Sequence, residues 1–221
     1  MIKLKVSDRF GVWGFAFRND QQMKETLDFM SHLENETEKS KLSIIMAYID
    51  DLLSRTMLAF FFRREEGKKL IDGVDGPIGA IAAKARTAYA LGLISKTQKD
   101  NIINLSKIRN LFSHRWNMES FDDGEVIKFV NKLKINEENN YFEVTNKAKI
   151  NIAMMEVITA LLHGEDYAIF FREKMISSKL SKLANYGDKL QYEKYFNELK
   201  KNKNLSNHDI DDLRRDYPFK E

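Results

Sequence analysis

Cysteine is absent from this 221-residue chain, which removes disulfides, thiolate metal ligands and a cysteine nucleophile from consideration. Proline is scarce as well, at two residues, and there are ten glycines, so long stretches are free to run as helices without a breaker. No stretch approaches the roughly 18 unbroken apolar residues that span a bilayer. The opening Met1-Ile2-Lys3-Leu4-Lys5-Val6 has no signal-peptide core, and the expected location is the cytoplasm, away from membranes. An excess of one charge is also missing. The 36 basic and 33 acidic residues leave a net charge of +3, so no global field draws the protein to a polyanion, and any nucleic-acid contact needs a local patch.

What is present suits a helical protein. Hydrophobic residues make up 43% and charged residues 31%, enough for a real core under a solvated surface. Lys, Glu, Leu, Ala and Met favour helix over sheet. The expected fold is all-α: a single helical bundle with a short N-terminal arm, read as a small strand or irregular segment, and a helical C-terminal extension. The expected division is an arm with a first helix over 1–37, the helical domain over 38–163 and the extension over 164–221.

Periodicity supplies the elements. Ile2, Leu4 and Val6 alternate, and Phe10, Trp13, Phe15 and Phe17 make the arm aromatic. Met23, Leu27, Met30 and Leu33 form one stripe of a helix capped by Asn19 or Asp20. Leu42, Ile45, Met46, Ile49, Leu52, Leu53 and Met57 predict a central helix over about Glu38 to Phe62, with Asp50, Asp51 and Arg55 opposite. Phe60, Phe61 and Phe62 put bulk on several faces, the mark of a core or a buried interface. The run Asp72 to Gly79 reads as a loop in which Pro77 opens the next helix. It lacks the Gly-Lys-Ser/Thr of a phosphate loop.

An alanine-rich helix over Ile78 to Leu91 is stopped by Gly92. Ser95-Lys96-Thr97-Gln98 fits a capping box, opening a helix that carries Ile102, Ile103, Leu105, Ile108, Leu111 and Phe112. A short helix follows around Val126 to Leu133, then a strong one over Asn146 to Leu162 burying Ile150, Ile152, Ala153, Met154, Val157, Ile158 and Leu161. After Gly164 two further helices are predicted, Tyr167 to Leu183 and Lys189 to Lys200, ahead of a polar tail with Leu205, Ile210 and Leu213.

The middle of the chain resembles the mannitol operon repressor family. The landmarks are Ala47-Tyr48-Ile49-Asp50-Asp51-Leu52-Leu53, Gly76-Pro77-Ile78-Gly79, Ala83-Lys84-Ala85-Arg86 with Ala88-Tyr89-Ala90-Leu91-Gly92-Leu93-Ile94, Ile108-Arg109-Asn110-Leu111-Phe112-Ser113-His114, and Ser120-Phe121-Asp122-Asp123. Their order and spacing agree over about residues 38 to 162, leaving out the aromatic arm and the segment after Gly164. The resemblance implies an all-helical regulator that acts on transcription through a protein partner, without a DNA-binding module of its own, and the expected state of such a regulator is a homodimer. Control of mannitol use is not carried over with it.

Arg109-Asn110-Leu111-Phe112-Ser113-His114 is also similar to the arginine-x4-histidine motif of the HEPN superfamily, helical dimers that include metal-independent ribonucleases of toxin and antiphage systems. In that alternative Arg109, Asn110 and His114 are candidate catalytic residues of an endoribonuclease acting on RNA. His114 would move the 2'-hydroxyl or leaving-group proton, Arg109 would stabilise the phosphorane and Asn110 would orient either partner. One imidazole does not easily serve as both acid and base, so a homodimer would complete the site across a two-fold axis.

Geometry sets a condition on this chemistry. Five helical residues turn through roughly 140° net, so Arg109 and His114 share a site only if the helix unwinds near Ser113. The same residue types equally suit a helix C-terminus, where they bond the last carbonyls and complement the dipole, or a dimer contact. No cofactor and no metal are expected, since His32, His163 and His208 lack ligand-spaced partners and adjacent Asp50 and Asp51 point about 100° apart on a helix.

Overall fold

Local signals in the sequence become helices, several of them with their expected ends. The computed structural model describes residues 20–33, 35–72, 76–115, 120–136, 144–201, 205 and 207–219. Among these residues the helices are α1 (Asp20–Leu33), α2 (Glu38–Phe60), α3 (Arg64–Ile71), α4 (Ile81–Ala90), α5 (Lys96–His114), α6 (Gly124–Val130), α7 (Asn146–Leu162), α8 (Gly164–Tyr186), α9 (Lys189–Lys200) and α10 (Asn207–Asp216). No strand occurs among the described residues, and the fold is all-α. The aromatic arm, with its expected strand, lies outside the described residues, as do the side chains of Met23, Leu27 and Met30.

Termini explain several boundaries. Leu91 caps α4, Gly92 takes a left-handed φ of 74°, and Leu93 N–H reaches the Ala88 carbonyl while Gly92 N–H reaches that of Tyr89, a complete Schellman ending. Ser95 and Gln98 form both halves of the capping box that starts α5. Asp123, Thr145 and Asp188 cap α6, α7 and α9 by accepting backbone N–H bonds.

Other boundaries differ from the periodicity. Pro77 does not open α4. The Ile78 N–H donates to the Leu70 carbonyl and Gly79 N–H to that of Gly76, holding this stretch in a turn, so α4 begins only after Ala80. Helix α3 carries charge on most faces and buries only Gly67 and Ile71, too little apolar pattern to announce it. α8 starts at Gly164 itself, and the supposed polar tail holds α10, with Ile210 buried. On α7, Ile152 is half-buried rather than core.

The described residues form two compact units: one takes α1 and α2 up to Ser54, plus Ala80–Gly164; the other takes Arg55–Gly79 and the chain from Glu165 on. In the first, Leu42, Ile45, Met46, Ile49, Leu52 and Leu53 of α2 are all buried. Phe29 of α1 stacks on Tyr48 at 4.1 Å between ring centroids. Helix α5 packs on α4, α6 and α7 through Ile102, Leu105, Ile108 and Phe112, each fully buried. In the second unit, Ile176, Leu180, Tyr192, Tyr195, Phe196, Leu199 and Ile210 make a core against which Phe62 and Leu213 pack. Buried Arg172 donates to the Ala59 carbonyl at 2.7 Å, giving a partner to a carbonyl in the last turn of α2 that has no intrahelical donor.

Candidate functional site at the end of helix α5

Two anchors, one towards each end of α5, tie it to the segment that holds α6. Phe112 meets Phe121 edge-on, with centroids 5.4 Å apart. Buried Asn101 donates to the Lys134 carbonyl at 2.7 Å and accepts from the Lys134 N–H at 2.9 Å, fastening the segment after α6 along α5. A two-bond amide clasp of this kind leaves little freedom in register.

Towards the C-terminal end of α5 lies an open depression of about 380 Å³ lined by Lys107, Asn110, Leu111, His114, Arg115 and Phe129. Positions 107, 110, 111 and 114 share one face of the helix, being three, four and seven residues apart. Phe129 supplies an apolar floor, and two cations approach its ring: Lys107 Nζ at 5.5 Å and Lys132 Nζ at 5.6 Å from the centroid, within cation–π range. Arg115 pairs with Glu125 at 2.8 Å. Lys128, Lys132 and Lys134, on α6 and just after it, are exposed as well.

The structure brings together two of the three residues singled out by sequence. Asn110 and His114 line the depression, both exposed. Arg109 does not line it. α5 stays helical through His114, and Arg115 N–H still bonds the Leu111 carbonyl, so the unwinding near Ser113 that would join Arg109 to His114 does not occur. Arg109 Nη1 donates instead to Asn110 Oδ1 at 3.2 Å, and its carbonyl accepts from the Ser113 hydroxyl at 3.0 Å. Within one chain the guanidinium and the imidazole therefore leave the helix roughly 140° apart.

Sequence reasoning missed Lys107, Phe129 and Lys132. The i, i+3, i+4, i+7 register of Lys107 with Asn110, Leu111 and His114 was a readable signal; the approach of Phe129 from another helix was not. A second hollow, about 390 Å³ in the unit that contains α9, is lined by Phe62, Arg63, Arg64, Glu65, Glu66, Glu198 and Lys201. Its charges offset one another. No cluster of three His, Asp or Glu residues suited to a metal exists among the described residues.

The family model described as mannitol repressor matches residues 67–191. The chain belongs to the mannitol repressor family. The match takes in four landmarks, including the whole end of α5 and its depression, and it continues past Gly164 through α8 into the first turn of α9, further than the landmarks reach. Membership supports a regulatory, repressor-like role. No curated protein and no solved structure shows a significant match to the chain. No helix among the described residues is long and apolar enough to cross a membrane.

Proposed function

We propose that the protein is a regulator that acts on transcription through contacts with a protein partner, and that the depression at the end of α5 is where the partner is held. The observation that carries this reading is the convergence of Lys107, Asn110, His114 and Arg115 on a shallow hollow floored by Phe129 and Leu111. An apolar floor ringed by cations and amide groups suits an acidic side chain or loop set around an apolar anchor, the usual anatomy of a contact patch. The net charge of +3 adds no general attraction for DNA. In this role the protein needs no DNA-reading element of its own, and His114 contributes as a contact rather than as an acid or base.

The test is genetic and biochemical together. Deletion of the gene should change a defined set of transcripts, restored by the wild-type chain but not by a Lys107→Glu, Arg115→Glu variant that keeps its helix content. The purified chain should give no sequence-specific shift of duplex DNA at about 150 mM salt. A specific shift by the isolated protein would overturn action through a partner. An unchanged transcript profile in the deletion strain would overturn the regulatory role itself.

A further inference from the structure

Helix α8 is sided twice over. Ala168, Arg172, Ile176 and Leu180 are buried in a regular i, i+4 row, while the other side exposes Tyr167, Phe170, Phe171 and Met175 at 46%, 51%, 37% and 59%. The exposed four recur at spacings of three and four and so make one continuous face. The rings are already ordered on one another: Tyr167 and Phe171 have centroids 4.6 Å apart, Phe170 and Phe171 6.4 Å, and Lys174 Nζ sits 4.8 Å from the Phe170 ring. Tyr, Phe and Met are the residues that interface cores collect, and pre-ordered rings lose little entropy on burial.

We propose that this face is where two copies of the chain pair, α8 against α8, antiparallel about a two-fold axis. Area supports a second copy. At about 200 Å² per side chain, the four exposures leave roughly 400 Å² of apolar surface. A standard interface of about 1,600 Å² in total, some 57% apolar, needs roughly 450 Å² of apolar surface from each partner. Charge supports the direction. Glu165 and Asp166 stand in the first turn of α8, while Lys174, Lys179 and Lys182 are exposed further along, so antiparallel copies set the acidic end of one near the basic stretch of the other. Parallel copies would oppose like charges, and the two helix dipoles add the same preference. The pairing uses no residue of the α5 depression and stands or falls apart from the regulatory reading.

The experiment is sedimentation of the full-length chain from 1 to about 100 µM, with circular dichroism as the control for folding. Wild type should dimerise with a dissociation constant in the low micromolar range. Phe170→Glu and Met175→Glu should each raise it at least about 100-fold with helix content unchanged. The absence of cysteine allows a second readout that does not depend on those variants: Phe171→Cys, near the proposed axis, should form a covalent dimer on mild oxidation, because paired Cα atoms within about 7 Å can be bridged. Arg109→Cys should not. A wild-type chain that stays monomeric at 100 µM would overturn the proposal, as would dimers indifferent to both glutamates. Binding of a monomeric chain to anionic phospholipid vesicles through the same residues would overturn it too, by assigning the face to a membrane surface.

Discussion

Asp50 and Lys84 show how unevenly an ion pair can weigh on its two members. The Lys84 ammonium lies 2.9 Å from Asp50 Oδ2, with the lysine side chain 6% exposed and the aspartate 37%; Oδ1 of Asp50 is buried without a hydrogen-bond partner. Removing the carboxylate strands a buried cation, whereas removing the lysine leaves an anion that still touches water. Asp50→Ala should therefore cost about 3 kcal/mol and Lys84→Met about 1 kcal/mol, while the double change Asp50→Leu, Lys84→Met should come back close to wild type. Urea titrations of the four proteins check this, and equal single-mutant losses would refute the asymmetry. Both residues were visible in the sequence as landmarks. Their meeting was not, because nothing in two separate helical patterns says which residues face one another.

A second residue-scale effect comes from tyrosine in the core around α9. Burial, with a smaller push from Glu198, raises the Tyr195 phenol from 10.0 to about 12, and burial likewise raises Tyr192. A raised folded value means that the native state holds the proton more tightly than the unfolded chain does. The stability involved is fully present below pH 10 and drains away as pH climbs from about 10 towards 12, since unfolding then lets the phenol ionise. Tyr195→Phe keeps the ring and removes the proton. By pH 12 the wild type should have lost about 2 kcal/mol more than this variant relative to pH 8, a difference measurable by denaturant titration at each pH. Parallel losses in the two proteins would show that the phenol ionises freely in the fold.

At the scale of elements, legibility followed the strength of local signals. The capping box at Ser95, the stop at Gly92 and the apolar stripes of α2, α5 and α7 were all readable, since each depends on residues within a turn or two of one another. The depression was half readable for the same reason: its α5 side has a helical register, but Phe129 and Lys132 arrive through the Asn101 clasp, a contact 33 residues away in sequence. Helix α3 escaped because its stability is borrowed from packing. Gly67 lies inside it, and a Cβ built there would run into the Phe61 side chain, whose Cγ and Cβ would be 3.1 and 3.2 Å away with a ring carbon nearer still. Helix propensity alone predicts that Gly67→Ala stabilises by about 1 kcal/mol. The close approach reverses the sign: the variant should be destabilised by 1–3 kcal/mol, roughly the penalty of overpacking, and a higher melting temperature would show that α3 has room to move off Phe61.

For the whole molecule, the grouping of the chain into units decides what a truncation would do. A reading along the sequence places a natural cut at Gly164, where composition shifts. Yet residues 55–79 belong to the same unit as the chain from Glu165 on, and the contacts there are specific. Arg55 pairs with Glu165 at 3.2 Å, the Ala59 carbonyl takes its hydrogen bond from Arg172, and Phe62 stacks on Tyr195 with centroids 6.3 Å apart. A chain ended at Gly164 keeps the end of α2, the half-buried Phe60, Phe61 and Phe62, and α3, but loses the part of their unit from Glu165 on, with Glu165, Arg172 and Tyr195. Such exposed aromatic surface is expected to bind hydrophobic dyes and to aggregate. The 1–164 fragment should express poorly or purify as a dye-binding, aggregating species, and its helix content should fall below that of the same residues in the full chain. A soluble 1–164 fragment with a single cooperative transition would mean that the segment after Gly164 is an appendage after all.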